Sequence, residues 1–84
     1  MPDLELYKDA ILTVDLPDDG LRAGDVGMVV ERHQVPGVVE AGYSVEFFDM
    51  IGHTVAVVTV PASSLRAPTS ADLPAARELA KMSG

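Results

Sequence analysis

The chain has 84 residues, one domain's worth, with 48% apolar side chains but only 5% aromatic ones. Net charge is −7, from 13 acidic against 6 basic residues, and no Lys/Arg cluster is present to meet a phosphate backbone, so nucleic-acid binding is not expected. Cysteine is absent, which removes disulfides, thiolate nucleophiles and cysteine-based zinc or iron–sulfur sites together.

Taken in chain order, Asp9-Ala10-Ile11-Leu12-Thr13-Val14 reads as a first strand. It ends in Asp15-Leu16-Pro17-Asp18-Asp19-Gly20, a dense cluster of turn formers in which Pro17 fixes φ and Gly20 can take positive φ. A second strand, Val26-Gly27-Met28-Val29-Val30-Glu31-Arg32, follows, and its internal Gly27 predicts a bulge or tight bend. Residues 34–42 form a loop with Pro36-Gly37 near its centre. Tyr43-Ser44-Val45-Glu46-Phe47 then alternates cleanly: Tyr43, Val45 and Phe47 face one way, Ser44 and Glu46 the other. Asp49-Met50-Ile51-Gly52 reads as a hairpin connection. The strand after it, His53 to Val60, carries apolar residues on both faces, as a strand covered on both sides does. Residues 61–66 form a helical turn, with Ser63 as its cap, that delivers Leu65 into a brief last strand.

Beyond Pro68, Ser70 or Asp72 is placed to cap a C-terminal helix over about residues 71–82, with Pro74 in its first turn. Leu73, Ala76, Leu79, Ala80 and Ser83 would share one face, leaving Arg77, Glu78 and Lys81 exposed. The expected fold is all-β: one domain over residues 1–84, a small SH3-like five-stranded barrel over about 8–67 and a short C-terminal α-helix.

Three blocks carry a family likeness. They are Asp15-Leu16-Pro17-Asp18-Asp19-Gly20-Leu21 with Ala23-Gly24-Asp25-Val26-Gly27-Met28-Val29-Val30-Glu31; Tyr43-Ser44-Val45-Glu46-Phe47-Phe48-Asp49 with Gly52 and His53-Thr54-Val55-Ala56; and Val60-Pro61-Ala62-Ser63-Ser64-Leu65-Arg66. Together they resemble a bacterial family of short proteins, domain of unknown function 4926, over roughly residues 8 to 67. The resemblance implies an SH3-like barrel, a bacterial cytoplasmic setting and no catalytic residues to carry over. Gly24-Asp25-Val26-Gly27 is also similar to the strand entry of KOW-type barrels and of the nitrile hydratase β-subunit barrel, a likeness of strand entry that carries no function.

No complete catalytic or metal-binding constellation is legible. His33 and His53 are the only histidines; a metal would require them to converge with carboxylates such as Asp49 or Glu31, and their spacing does not imply it. Asp15, Asp18, Asp19 and Asp25 crowd one loop without EF-hand spacing and read more simply as a solvated turn. Ser63 and Ser64 lack a base at any recognisable spacing. No enzymatic activity, cofactor, metal or small-molecule substrate is therefore expected.

No apolar run approaches the ~20 residues that cross a bilayer. The N-terminus, Met1-Pro2-Asp3-Leu4-Glu5, lacks a signal-type apolar stretch, so no membrane association and a cytoplasmic location are expected.

What stands out is an apolar surplus. In the register set by Tyr43, Val45 and Phe47, Phe48 points away from the core, beside Met50 and Ile51. The leading expectation is a non-enzymatic protein-interaction module. It would bind a basic protein partner, as an immunity or antitoxin protein does, or a second copy, through Phe48, Met50, Ile51 and the acidic residues Asp15, Asp18 and Asp19. Two alternatives stay open: a subunit-like barrel of a metalloenzyme system of nitrile hydratase β type, and a KOW-type nucleic-acid module, which the charge opposes. The C-terminal helix is a competing cover for Phe48, through Leu73, Ala76 and Leu79.

Overall fold

The computed structural model describes residues 4–79. Five antiparallel strands run β1 (Asp9–Leu12), β2 (Val26–His33), β3 (Gly42–Phe48), β4 (Thr54–Pro61) and β5 (Leu65–Arg66), with 3-10 turns at Pro17–Asp19 and Ala62–Ser64. They form one sheet in the order β4-β3-β2-β1-β5. The five strands of the expected fold are thus present, but the sheet is open: β4 and β5 are its edges and are not paired to each other. Only the turn Ala62–Ser64 joins these two edge strands. A connection of that length reaches about 10 Å, so the sheet must curl until its edges approach. β5 is too short to zip them closed.

The predicted alternation of β3 sets the core. Tyr43, Val45 and Phe47 are 1%, 0% and 2% exposed, and they pack with Leu12, Leu21, Val29, Val58, Val60 and Leu65. Tyr43 also uses its polar end, its hydroxyl accepting the Leu4 N–H at 3.2 Å. On the opposite face Ser44, expected to point away from the core, is nonetheless buried. Its hydroxyl lies 2.8 Å from His33 Nε2 and 2.9 Å from Thr59 Oγ1, so a cross-strand polar row covers it.

Coverage on both faces occurs at β1, where Ala10, Ile11 and Leu12 are all buried, and not at β4. β4 is an edge strand, with Val58 and Val60 inward and Val55 and Val57 exposed. The bend expected at Gly27 has a different origin from the one predicted. The register shift in β2 lies between Val29 and Glu31, leaving Val30 as the extra residue. Gly27 is glycine because β3 presses on it: a Cβ there would lie 2.6 Å from Val45 Cγ1 and 2.9 Å from both the Glu46 carbonyl and Phe47 Cε1. Ser63 also departs from expectation. The cap position before its turn is Pro61, without a side-chain bond, and the Ser63 N–H donates to the Glu40 carboxylate.

The predicted C-terminal helix is not found over 71–79, which are non-helical; residues 80–82 lie outside the described residues. Its initiating residues are engaged otherwise. Asp72 accepts Arg66 Nη1 at 2.9 Å and Nη2 at 2.7 Å, together with the Thr69 N–H at 2.7 Å, so it closes a turn backwards instead of capping a helix forwards. Pro74 then biases Leu73 away from the α region.

The contact at Gly27 predicts that Gly27→Ala lowers stability by roughly 1–3 kcal/mol, the range for overpacking a filled core. Urea denaturation should show a lower midpoint with an unchanged slope.

Candidate functional site

A groove opens where the first loop meets the β3–β4 hairpin. Its floor is apolar, from Leu21, Val26, Phe47, Phe48, Met50 and Val55, and Gly24 and Asp25 form one border. The hairpin is built by Asp49, whose Oδ1 accepts the N–H groups of Ile51 at 3.0 Å and His53 at 2.8 Å, with Gly52 at positive φ (90°) completing the turn. A register shift between Phe47 and Phe48 leaves Val55 as the extra residue of β4, which kinks the strand pair at the groove. Phe48, Met50 and Ile51 are consequently 42%, 90% and 78% exposed. Phe48 and Met50 line the groove, while Ile51 sits beyond it at the hairpin tip.

The first loop is fixed by its own acids. Asp15 Oδ1 accepts the Ala23 N–H at 2.9 Å, and Leu16 pairs with Leu21 across the turn. Asp18 and Asp19 are exposed in the 3-10 turn, which Gly20 ends at φ 70°. These three acids are not groove residues. The hairpin's Asp49 and the tail's Glu78 line the groove, and of the four loop acids only Asp25 joins them. Asp25 Oδ2 accepts the Arg22 N–H at 2.8 Å. Arg77, 52 positions along the chain, donates to it through two nitrogens, with Nε reaching Oδ1 at 2.8 Å and Nη2 reaching Oδ2. Nη2 also donates to the Gly20 carbonyl at 3.0 Å. The Arg77 fork, which outweighs partial burial, holds the Asp25 carboxyl below the usual carboxylate range.

The tail from Leu73 to Leu79 forms the far wall of the groove. The segment expected to cover Phe48 as a helix thus lies across the groove as a non-helical segment latched at Arg77, and Phe48 stays exposed. No residue of the described tail beyond Asp72 makes a backbone–backbone hydrogen bond, and Leu73 remains 87% exposed.

The histidines are apart. His33 bonds Ser44, and His53 Nδ1 lies 3.5 Å from Asp49 Oδ2 in the hairpin. Among the described residues no three His, Cys, Asp or Glu side chains gather as a metal site. No helix among the described residues is long and apolar enough to cross a membrane. A second groove, beside Tyr43 and Leu65, is bordered by Lys8, Arg32 and Arg66, and its Arg66 is held by Asp72.

The blocks that gave the family likeness lie in β2 to β5 and the loops from Asp15 onwards. The family model described as Domain of unknown function (DUF4926) matches residues 6–67, most of the chain. The chain belongs to this family. The match spans all five strands of the DUF4926 domain and its first loop, and ends before the tail that walls the groove. No curated protein and no solved structure matches the chain.

The depressed Asp25 pKa carries a sign. Stability from the Asp25–Arg77 pair is present above the carboxyl's ordinary value of 3.8 and is lost as pH falls through its lower folded value. Thermal melts should therefore show Arg77→Ala below the wild type at pH 6. The difference should shrink as the pH falls below 3.8 and on through the lower folded value, where Asp25 takes up its proton.

Proposed function

We propose that the chain is a non-enzymatic protein-interaction module. It would be an SH3-like barrel that holds a basic protein partner on the face between its first loop and its β3–β4 hairpin. The observation that carries this reading is the exposure of Phe48, Met50 and Ile51 together, next to a groove whose polar border includes the Asp25 and Asp49 carboxylates. Large apolar side chains that stay in water on a small domain mark an interaction surface. An aromatic and a methionine at the centre of a patch match the composition of interface cores.

The net charge of −7 suits a basic partner by raising the encounter rate and suppressing acidic competitors. Asp18 and Asp19, exposed beside the groove's border in sequence, add to that field without needing a direct contact. An immunity-like or antitoxin-like role in a bacterial cytoplasm is one concrete form of this activity, in which a target is held by surface complementarity alone.

Phe48→Ser should leave the monomer's melting temperature within about 4 °C of the wild type, as expected for a partly exposed site away from special backbone geometry. The same change should abolish partner retention. Tagged wild-type and Phe48→Ser chains, used as baits in lysate of the source cell, read this directly. A basic protein should be retained by the wild type and lost by the variant, and retention should weaken with salt. Identical sets of captured proteins from the two baits would overturn the reading.

A further inference from the structure

The Asp25 border of the groove already holds a guanidinium, and it belongs to the chain's own tail. We infer that the groove bordered by Gly24 and Asp25 is a recognition site for an extended, arginine-bearing segment of a partner protein, and that residues 73–79, which wall it and place Arg77 on Asp25, are an intramolecular stand-in for that segment. The inference rests on the interaction face proposed above and specifies what chemistry it accepts.

The geometry at Arg77 is that of a built receptor. A carboxylate faces the guanidinium with both oxygens, Nε donating to Oδ1 at 2.8 Å and Nη2 to Oδ2. The Gly20 carbonyl takes a further Nη2 bond at 3.0 Å. Asp25 is itself held in place, since its Oδ2 accepts the Arg22 N–H at 2.8 Å and its carbonyl accepts the Leu12 N–H at 2.9 Å. The acceptors are thus fixed by the sheet, while the donor arrives on a segment with no regular structure. A fixed carboxylate with a neighbouring carbonyl fits the planar guanidinium fork better than a lysine ammonium. Beside this anchor lie Phe48, Val26 and Val55, which suit one or two apolar side chains flanking the arginine.

The present occupant is weakly held. Beyond Asp72 the described tail makes no backbone–backbone hydrogen bond, and Leu73 and Leu79 are both exposed. Its hold on the groove depends on tethering, which gives a short cis segment an effective concentration in the millimolar range. A partner segment with the same arginine and better-buried apolar neighbours displaces it, and the net charge of −7 favours that partner's approach.

The test uses the full chain and a blocked synthetic peptide of residues 73–79, followed by amide and methyl shifts at Asp25, Phe48 and Val55. In the Arg77→Ala chain, whose own tail is unlatched, the peptide should produce saturable shifts at these positions. In the wild type the apparent affinity should be about tenfold or more weaker, because the tail competes. The peptide carrying Arg77→Lys should bind the Arg77→Ala chain several-fold more weakly, since the ammonium cannot fork. The peptide carrying Arg77→Ala should give no shifts.

An absence of shifts at millimolar peptide, equal affinity for both chains, or equal binding of all three peptides would each overturn the inference. The bait experiment with Phe48→Ser is read separately. Peptide binding at Asp25 with no cellular partner lost in that variant would fail the interaction-module reading and leave the arginine-recognition groove standing.

Discussion

The fit of β2 against β3 at Gly27 is the constraint on which the rest depends. With no side chain at 27, the Val45 side chain, the Glu46 backbone and the Phe47 ring close over that position. Ala10 pairs with Gly27 from the other side, so β1 follows the same curvature and brings Leu12 into the core. That curvature lets a three-residue turn carry the chain from β4 to β5, the two ends of the sheet. It also sets the first loop beside the β3–β4 hairpin, because Gly24 and Asp25 lie just ahead of β2 while Phe48 ends β3. The groove is therefore a consequence of how tightly the sheet bends.

What could be read in advance followed from periodicity and turn chemistry. The alternation from Tyr43 to Phe47 fixed an inward face that the structure buries almost completely, and Gly20 and Gly52 took the positive φ that their turns required. The same alternation placed Phe48 outward. It could not say that Ser44, also outward, would be covered by His33 and Thr59, because cross-strand neighbours depend on register, and a bulge at Val30 sets that register. Asp25 was hidden among four loop acids of similar appearance. Its distinction is a partner 52 positions away, and no local pattern announces such a pair.

The missing helix has the same cause. Leu73, Ala76 and Leu79 have helical spacing, but seven to twelve residues with a proline near the start form a marginal helix unless tertiary contacts add to it. Here tertiary contacts act the other way. Arg66 takes Asp72, one of the two residues placed to cap the helix, and Asp25 takes Arg77, which would have lain on its solvated side. Two of the chain's six basic residues are thereby committed to ordering the segment beyond β5, in a protein with acid to spare. Local propensity for helix is a weak preference, and two forked Arg–carboxylate pairs with added backbone bonds suffice to override it.

Scarcity of basic residues also gives the Asp25 pair its meaning. An acidic surface repels most of itself, so a carboxylate fixed beside an apolar floor attracts whatever guanidinium is nearest. In the isolated chain that is Arg77, reached through a short tether, and the pair adds order to a tail that beyond Asp72 makes no backbone–backbone hydrogen bond to another described residue. A pair of this kind, partly open to water, contributes modestly to stability because desolvation and side-chain ordering offset the attraction. Its larger effect is on geometry. Tail and groove are registered by a single forked contact, so the apolar residues on either side remain under-buried: Met50 and Leu73 stay largely exposed although both border the groove. An occupant that kept the fork and also covered those side chains would bury more apolar surface than the tail does, and the free energy of that burial is what favours exchange.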